Sequence, residues 1–292
     1  MAGAGHGQQA VAASPGLYVV STPIGNLRDI TLRALDILAA ADEVLAEDTR
    51  VAAKLLSAYG LKARLSPYHD HNGAERRPVI LARLAEGARI ALISDAGTPL
   101  VSDPGWKLVH EALDAGIRVY PVPGASAMLA GLVASGLPSD RFMFAGFLPP
   151  KQGARRAALQ ALKHVPATLI FYESGPRLAD SLGDMAATLG PGRQGAVTRE
   201  LTKLFEETRR GTLQDLADHY TAAGPPRGEI VLLAGPPLEQ AASAADLDAA
   251  LKDALASMPT KQAAETVAEA LSLPRREVYQ RALKLRSGDA EG

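Results

Sequence analysis

Along the chain, short apolar runs alternate with stretches in which apolar residues recur every three to four positions. Leu17-Tyr18-Val19-Val20 is such a run, closed by a Pro/Gly loop that extends to Asn26, and it predicts a short buried strand. Thr31 then offers a cap for an amphipathic helix to about Ala40. The unit repeats, with strands expected over 43–47, 64–68, 89–94 and 118–121 and helices over 50–59, 74–86 and 104–115. Pro104 marks the start of the last of these helices. Such alternation implies a mostly parallel sheet with helices on its faces. Beyond Gly124 a second series follows, with strands over 142–147, 167–172, 195–198 and 229–234 and helices over 126–135, 177–189 and 213–222, plus a basic helix after residue 150. Gly235-Pro236-Pro237 breaks the pattern, and from Ala244 the chain is Ala-rich with helical spacing, including two short helices within 260–285.

These elements predict an α/β fold class with two α/β domains and a small helical appendage. The expected limits are 1–15 for a flexible N-terminal extension without periodicity, 16–122 and 123–237 for the two α/β domains, and 238–292 for the tail.

Composition narrows the functional classes. The 292 residues are 47% hydrophobic and 22% charged, as in an ordinary globular protein, and contain no cysteine, which removes disulfides and thiolate chemistry. With no apolar run long enough to span a bilayer and no leader-like start, a cytoplasmic protein without membrane contact is expected. A net charge of −1 excludes coating of nucleic acid by bulk positive charge, so any RNA contact must be local. One candidate is 141–164, where Arg141, Lys151, Arg155, Arg156 and Lys163 occur without a single acid, although a solvated helix face would read the same way.

Candidate chemistry collects at the carboxyl ends of expected strands, where open α/β sheets receive ligands. The most unusual stretch is Ser94-Asp95-Ala96-Gly97-Thr98-Pro99, continued by Ser102-Asp103-Pro104-Gly105. Its glycines permit close approach, and Asp95 and Asp103 can accept hydrogen bonds from amino or hydroxyl groups. Ser21 to Asn26 is a binding loop or a tight turn, and it lacks the spacing of a phosphate loop. Pro123-Gly124-Ala125-Ser126-Ala127 feeds a helix whose free N–H groups could receive a carboxylate, unless Ser126 merely caps it. Glu47 to Arg50 reads equally as a capping box or as ligand-facing acids. His69-Asp70-His71-Asn72 suits a polar loop better than a metal, because alternate residues at a strand end face opposite ways. Arg199 to Glu207 is either an exposed helix start laced with ion pairs or a charged cluster on the substrate side.

Taken together, and with Phe147-Leu148-Pro149-Pro150-Lys151, Glu173-Ser174 and Gly228-Glu229, these stretches resemble the branch of the tetrapyrrole methylase superfamily that 2'-O-methylates a cytidine ribose in small-subunit ribosomal RNA. The resemblance implies a ligand cleft between the two α/β domains that takes S-adenosyl-L-methionine, a homodimer, and small-subunit RNA or the 30S subunit as partner. It places Pro23, Ile24, Asp95, Thr98, Ser126 and Ala127 at the cofactor from the first domain and its junction, and Tyr172, Leu201 and Gly228 from the second. No metal is implied. Methyl transfer to a ribose hydroxyl requires alignment and help in losing a proton. Lys203, Glu200 and Glu173, at the edge of the second sheet, are the candidate catalytic residues. The segment 261–285 is similar to a helix-turn-helix-like appendage, with Arg275, Arg276, Arg281, Lys284 and Arg286 against Glu277 alone. Two other readings are a methylase of small tetrapyrroles, which would favour a Gly-rich first loop, and a non-catalytic ribosome-assembly factor.

Overall fold

A strand buried on both faces belongs at the middle of a covered sheet, and β1 (Gly16–Val20) is buried along its whole length. The computed structural model describes residues 13–69, 71–238, 244–271 and 273–287, so the expected extension lies outside the described residues up to residue 12. α1 (Leu32–Ala40) follows, capped by Thr31, whose Oγ1 accepts from the Ala34 N–H at 3.1 Å. The alternation continues through β2 (Glu43–Ala46), α2 (Thr49–Ala58), β3 (Leu65–Pro67), α3 (Gly73–Ala85), β4 (Arg89–Ile93), α4 (Trp106–Asp114) and β5 (Val119–Val122). All pairings are parallel, in the order β3-β2-β4-β1-β5. Because β4, β1 and β5 are neighbours, the loops at their carboxyl ends open side by side. Pro104 does not open α4 as expected: Gly105, at φ 125°, precedes the first helical residue, Trp106.

α5 (Ala127–Ser135) leaves β5 and lies on a second sheet, so close that a Cβ on Gly131 would meet Val231 and Thr198 at 3.0–3.1 Å. That sheet is built from β6 (Phe142–Phe147), β7 (Thr168–Ser174), β8 (Gln194–Arg199), β9 (Glu207–Thr212) and β10 (Glu229–Ala234), with α6 (Gln152–Leu162), α7 (Leu178–Leu189) and α8 (Leu213–Ala223) between them. Its order is β6-β7-β10-β8-β9, and only β6 and β7 run parallel. Period-two alternation sorts its residues: Ile170, Val231 and Leu233 pack with Leu132 of α5, while Leu169, Phe171 and Leu232 pack with Leu159, Leu182 and Leu216 of the other helices.

Two expectations change here. Arg199 to Glu207 is not a helix start: β8 ends at Arg199, a turn follows, and β9 begins at Glu207. The basic helix is not an open cationic face either. Arg155 is buried and bonds the equally buried Asp184 at 2.7 Å, and Arg156 bonds the same carboxylate at 2.6 Å. Burying that acid is tolerable only with both partners in place.

Ile24, from the loop after β1, packs in the α5 core of the second sheet, and the two sheets form one compact unit ending at Pro237. The unit that follows contains α9 (Ala244–Ser257), α10 (Thr260–Ala270) and α11 (Arg275–Ser287), packed around Leu251, Val267, Val278 and Ala282. Arg281 is tied to Asp248 at 2.6 Å and Arg286 donates to Thr260 Oγ1, so these two tail cations have partners within the tail.

Candidate active site

The loops after β1, β4 and β5 hold one another through their small residues. Thr22 and Gly97 exchange backbone hydrogen bonds of 2.8 and 3.1 Å, and Thr22 Oγ1 donates to the Ser94 carbonyl at 3.1 Å. Ser21 and Thr98 share a hydroxyl–hydroxyl bond of 3.1 Å, and Thr98 Oγ1 also donates to the Ala125 carbonyl at 3.3 Å. Gly97 takes φ 80°, a conformation that a side chain would strain. Asp95 accepts from the Asp48 N–H at 3.1 Å, which ties the loop after β4 to the one after β2.

The facing wall comes from the second sheet. The turn after β8 holds Glu200 and Thr202 at φ 50° and 65°, uncommon for residues with a Cβ. Lys203 lies across Gly25, where an added Cβ would fall 2.5 Å from the lysine Cγ, and its Nζ donates to Glu200 at 2.8 Å and to Glu229 at 2.9 Å. The Asn26 N–H donates to Thr202 Oγ1 at 3.2 Å. The turn thus clasps the first loop. Gly228, at φ 101°, leaves room for Glu200, which a Cβ there would overlap.

Between these walls lies a cleft of about 360 Å³, within the range of small-molecule sites. Ile24, Thr98, Ser126, Ala127, Tyr172, Leu201 and Gly228 all line it. Pro23 and Asp95 line an adjoining depression instead, together with Lys203, and Glu229 borders both spaces. Glu200 lines neither. Glu173 borders the cleft, yet its buried carboxylate accepts from Ser181 Oγ at 2.6 Å and the Ser174 N–H at 2.8 Å, beside Arg177 at 3.4 Å, so it pins the end of β7. His69 and His71 lie beyond β3, at the far edge of the first sheet, and border neither space, while Asp70 lies outside the described residues.

Among the lining residues outside the expected cofactor contacts are Asp103 and Phe147. Burial pushes the half-buried Asp103 carboxyl up to about 6, aided by the charges of Glu47 and Asp95 and opposed by a hydrogen bond from Ser94. Its pairing of acid and loop glycines is legible in the sequence; its aim into the cleft depends on Leu100 and Ser102 at φ 75° and 63°, which no local pattern announces. Lys203 is pulled down by burial, but its two carboxylate hydrogen bonds outweigh this and hold its ammonium above the ordinary lysine range. Glu200 is held below the usual carboxylate range, by Lys203 first and the Glu229 backbone N–H second.

The cleft fits a ligand with a cationic centre and a carboxylate. A carboxylate destabilised by its neighbours gains most from a nearby cation. Ser126 precedes α5 without a side-chain cap, so its hydroxyl does not occupy the first-turn N–H groups.

Residues 16–217 match the family described as Tetrapyrrole (Corrin/Porphyrin) Methylases, and residues 241–286 match the family described as RsmI C-terminal HTH domain. The chain is 57% identical over 278 residues to a Mesorhizobium japonicum protein named "Ribosomal RNA small subunit methyltransferase I", covering 95% of each chain. It is 53% identical to a protein of the same name from Erythrobacter litoralis, covering 97% of this chain and 99% of that one. Among solved structures, uroporphyrin-III C-methyl transferase from Thermus thermophilus complexed with S-adenyl homocysteine shares the fold, with a TM-score of 0.54, 22% identity and coverage of 75% of this chain and 97% of that one.

Proposed function

From its membership of the tetrapyrrole methylase family, within the ribosomal RNA small subunit methyltransferase I group, we propose that the chain transfers a methyl group from S-adenosyl-L-methionine to the 2'-hydroxyl of a cytidine ribose in small-subunit (16S) ribosomal RNA. The observation that carries this reading is identity above one half along 95% of the chain with a relative of that name. Bound in the cleft, the cofactor supplies an electrophilic methyl group on a sulfonium.

The residues divide the work. Thr98 and the Gly97 backbone position the cofactor from the first sheet, with Pro23 and Asp95 shaping the loops behind them. Asp103 would complement its positive charge. Ser126 and Ala127 would offer the start of α5 to its carboxylate, and Tyr172, Leu201 and Gly228 would hold the adenosine from the second sheet. Lys203, kept cationic by Glu200 and Glu229 in the depression beside the cleft, would favour charge developing on the ribose oxygen as its proton passes to water, and Glu173 holds the chain end of β7 that frames the site.

The assembly belongs to the same proposal: a homodimer in the cytoplasm, acting on small-subunit RNA or the 30S subunit. No helix among the described residues is long and apolar enough to cross a membrane. Labelled methyl transfer tests the reading directly. The protein with labelled S-adenosylmethionine is expected to label small-subunit RNA and to leave a uroporphyrinogen-type tetrapyrrole unlabelled; label on the tetrapyrrole alone would refute it. Calorimetry separates the assembly-factor alternative, which predicts no cofactor binding.

A further inference from the structure

The cleft carries carboxylates from both sheets and an exposed aromatic ring from one. Its first-sheet side carries Asp103, with Glu47 and Asp95 within electrostatic reach. Its second-sheet side ends in Phe147, whose ring is 56% exposed at the end of β6, an edge strand. A register break turns that ring toward the cleft. β6 pairs Phe144 with Ile170, so a regular ladder would set Phe147 beside Glu173; instead Phe147 pairs with Tyr172. One residue of slip exchanges the two faces of a strand. Gly146, at φ 65°, permits the bulge, and it therefore moves Phe147 onto the face of Tyr172, the face that lines the cleft. The two rings meet edge to face at 5.7 Å, and Phe144 supports Tyr172 at 4.8 Å. A large ring is thus held firmly with half its surface in water.

We propose that Phe147 is the platform on which the base of the target nucleotide stacks, drawn out of its RNA stack, while its ribose enters the cleft. The proposal rests on the RNA-methylation reading above. The charge distribution favours this occupant at the mouth: Asp103, Glu173 and Glu229 line the cleft itself and disfavour a phosphate there, whereas residues 142–163, which carry Phe147, contain no acid and present an exposed Lys151. An aromatic face at the mouth serves any unstacked base, and sequence-specific RNA recognition chiefly uses bases splayed out of loops and ends and stacked on aromatic side chains. Phe147 is in this account a positioning residue.

The test compares Phe147→Leu, which keeps apolar bulk without a ring, with Phe147→Trp. Single-turnover methyl transfer is followed against small-subunit RNA concentration, S-adenosylmethionine affinity by calorimetry, and assembly by sedimentation. The half-saturating RNA concentration is expected to rise roughly tenfold in the leucine variant and to return in the tryptophan variant, with cofactor affinity unchanged. An unchanged RNA dependence would overturn the proposal. So would a parallel loss of cofactor affinity, which would give the ring to the adenosine, or a loss of self-association, which would place it between copies. A wild-type protein that bound the cofactor but labelled no RNA would overturn the RNA reading itself.

Discussion

Asp103 and Lys203 carry the electrostatics of the cleft in opposite senses, and each makes a prediction. The Asp103 carboxyl, raised to about 6, is ionised at neutral pH, and a bound cation favours that form. Free protein must lose a proton to bind once the pH falls below 6, so cofactor affinity should be level above that pH. Below it, affinity should weaken by roughly tenfold per unit until the group protonates in the complex as well. Calorimetry across pH 5 to 8 measures this, and Asp103→Asn should bind weakly throughout with a flattened profile; a wild-type affinity independent of pH would refute the role. Lys203→Met keeps the stem across Gly25 and removes the charge. Single-turnover methylation should slow by roughly a hundredfold with cofactor affinity within a few-fold, and an unchanged rate would show that the ammonium does not assist. At this scale the sequence displays which residue types share a loop, and Ile24, Thr98 and Ser126 do meet in one cleft. It does not display partners brought from afar: the ion pairing of Lys203 with nearby Glu200 is legible, whereas Glu229, 26 residues on, joins them only in the fold.

The elements with the strongest patterns are the most legible. β1 and β10 are continuous apolar runs buried on nearly every residue, and both lie where their runs predict. β9 was not legible for a physical reason: Glu207-Thr-Arg-Arg-Gly-Thr212 is an edge strand with no apolar alternation, and its register comes from pairing with β8. The basic helix α6 teaches the complementary lesson, since charge read along a chain does not say which cations are already paired. Asp184 of α7 holds both Arg155 and Arg156, so Asp184→Ala would leave a guanidinium buried without its counter-charge. The expected loss is about 3–5 kcal/mol of unfolding free energy, measured by denaturant titration, whereas a loss below about 1 kcal/mol would mean the pair behaves as a surface contact.

For the whole molecule, the arrangement of two sheets follows from the alternation of elements, but the cleft follows from strand order. Parallel order β3-β2-β4-β1-β5 gathers three loops that are far apart in sequence, and the turn after β8 clasps the first of them from the other sheet. Neither pairing order nor the antiparallel majority of the second sheet is encoded in a local pattern, because both depend on contacts between distant segments. The cleft gathers the carboxylates of Asp103, Glu173 and Glu229, while the aromatic end of β6 at its mouth leads into the acid-free stretch 142–163, which suits a cationic cofactor and an anionic polymer meeting at one point. Mapping 2'-O-methyl groups at nucleotide resolution on small-subunit RNA, incubated with S-adenosylmethionine with and without the protein, tests that account most directly. The account predicts a new 2'-O-methyl group on a cytidine that appears only with the protein; methyl groups found only on bases, or none at all from a protein that binds the cofactor, would contradict it.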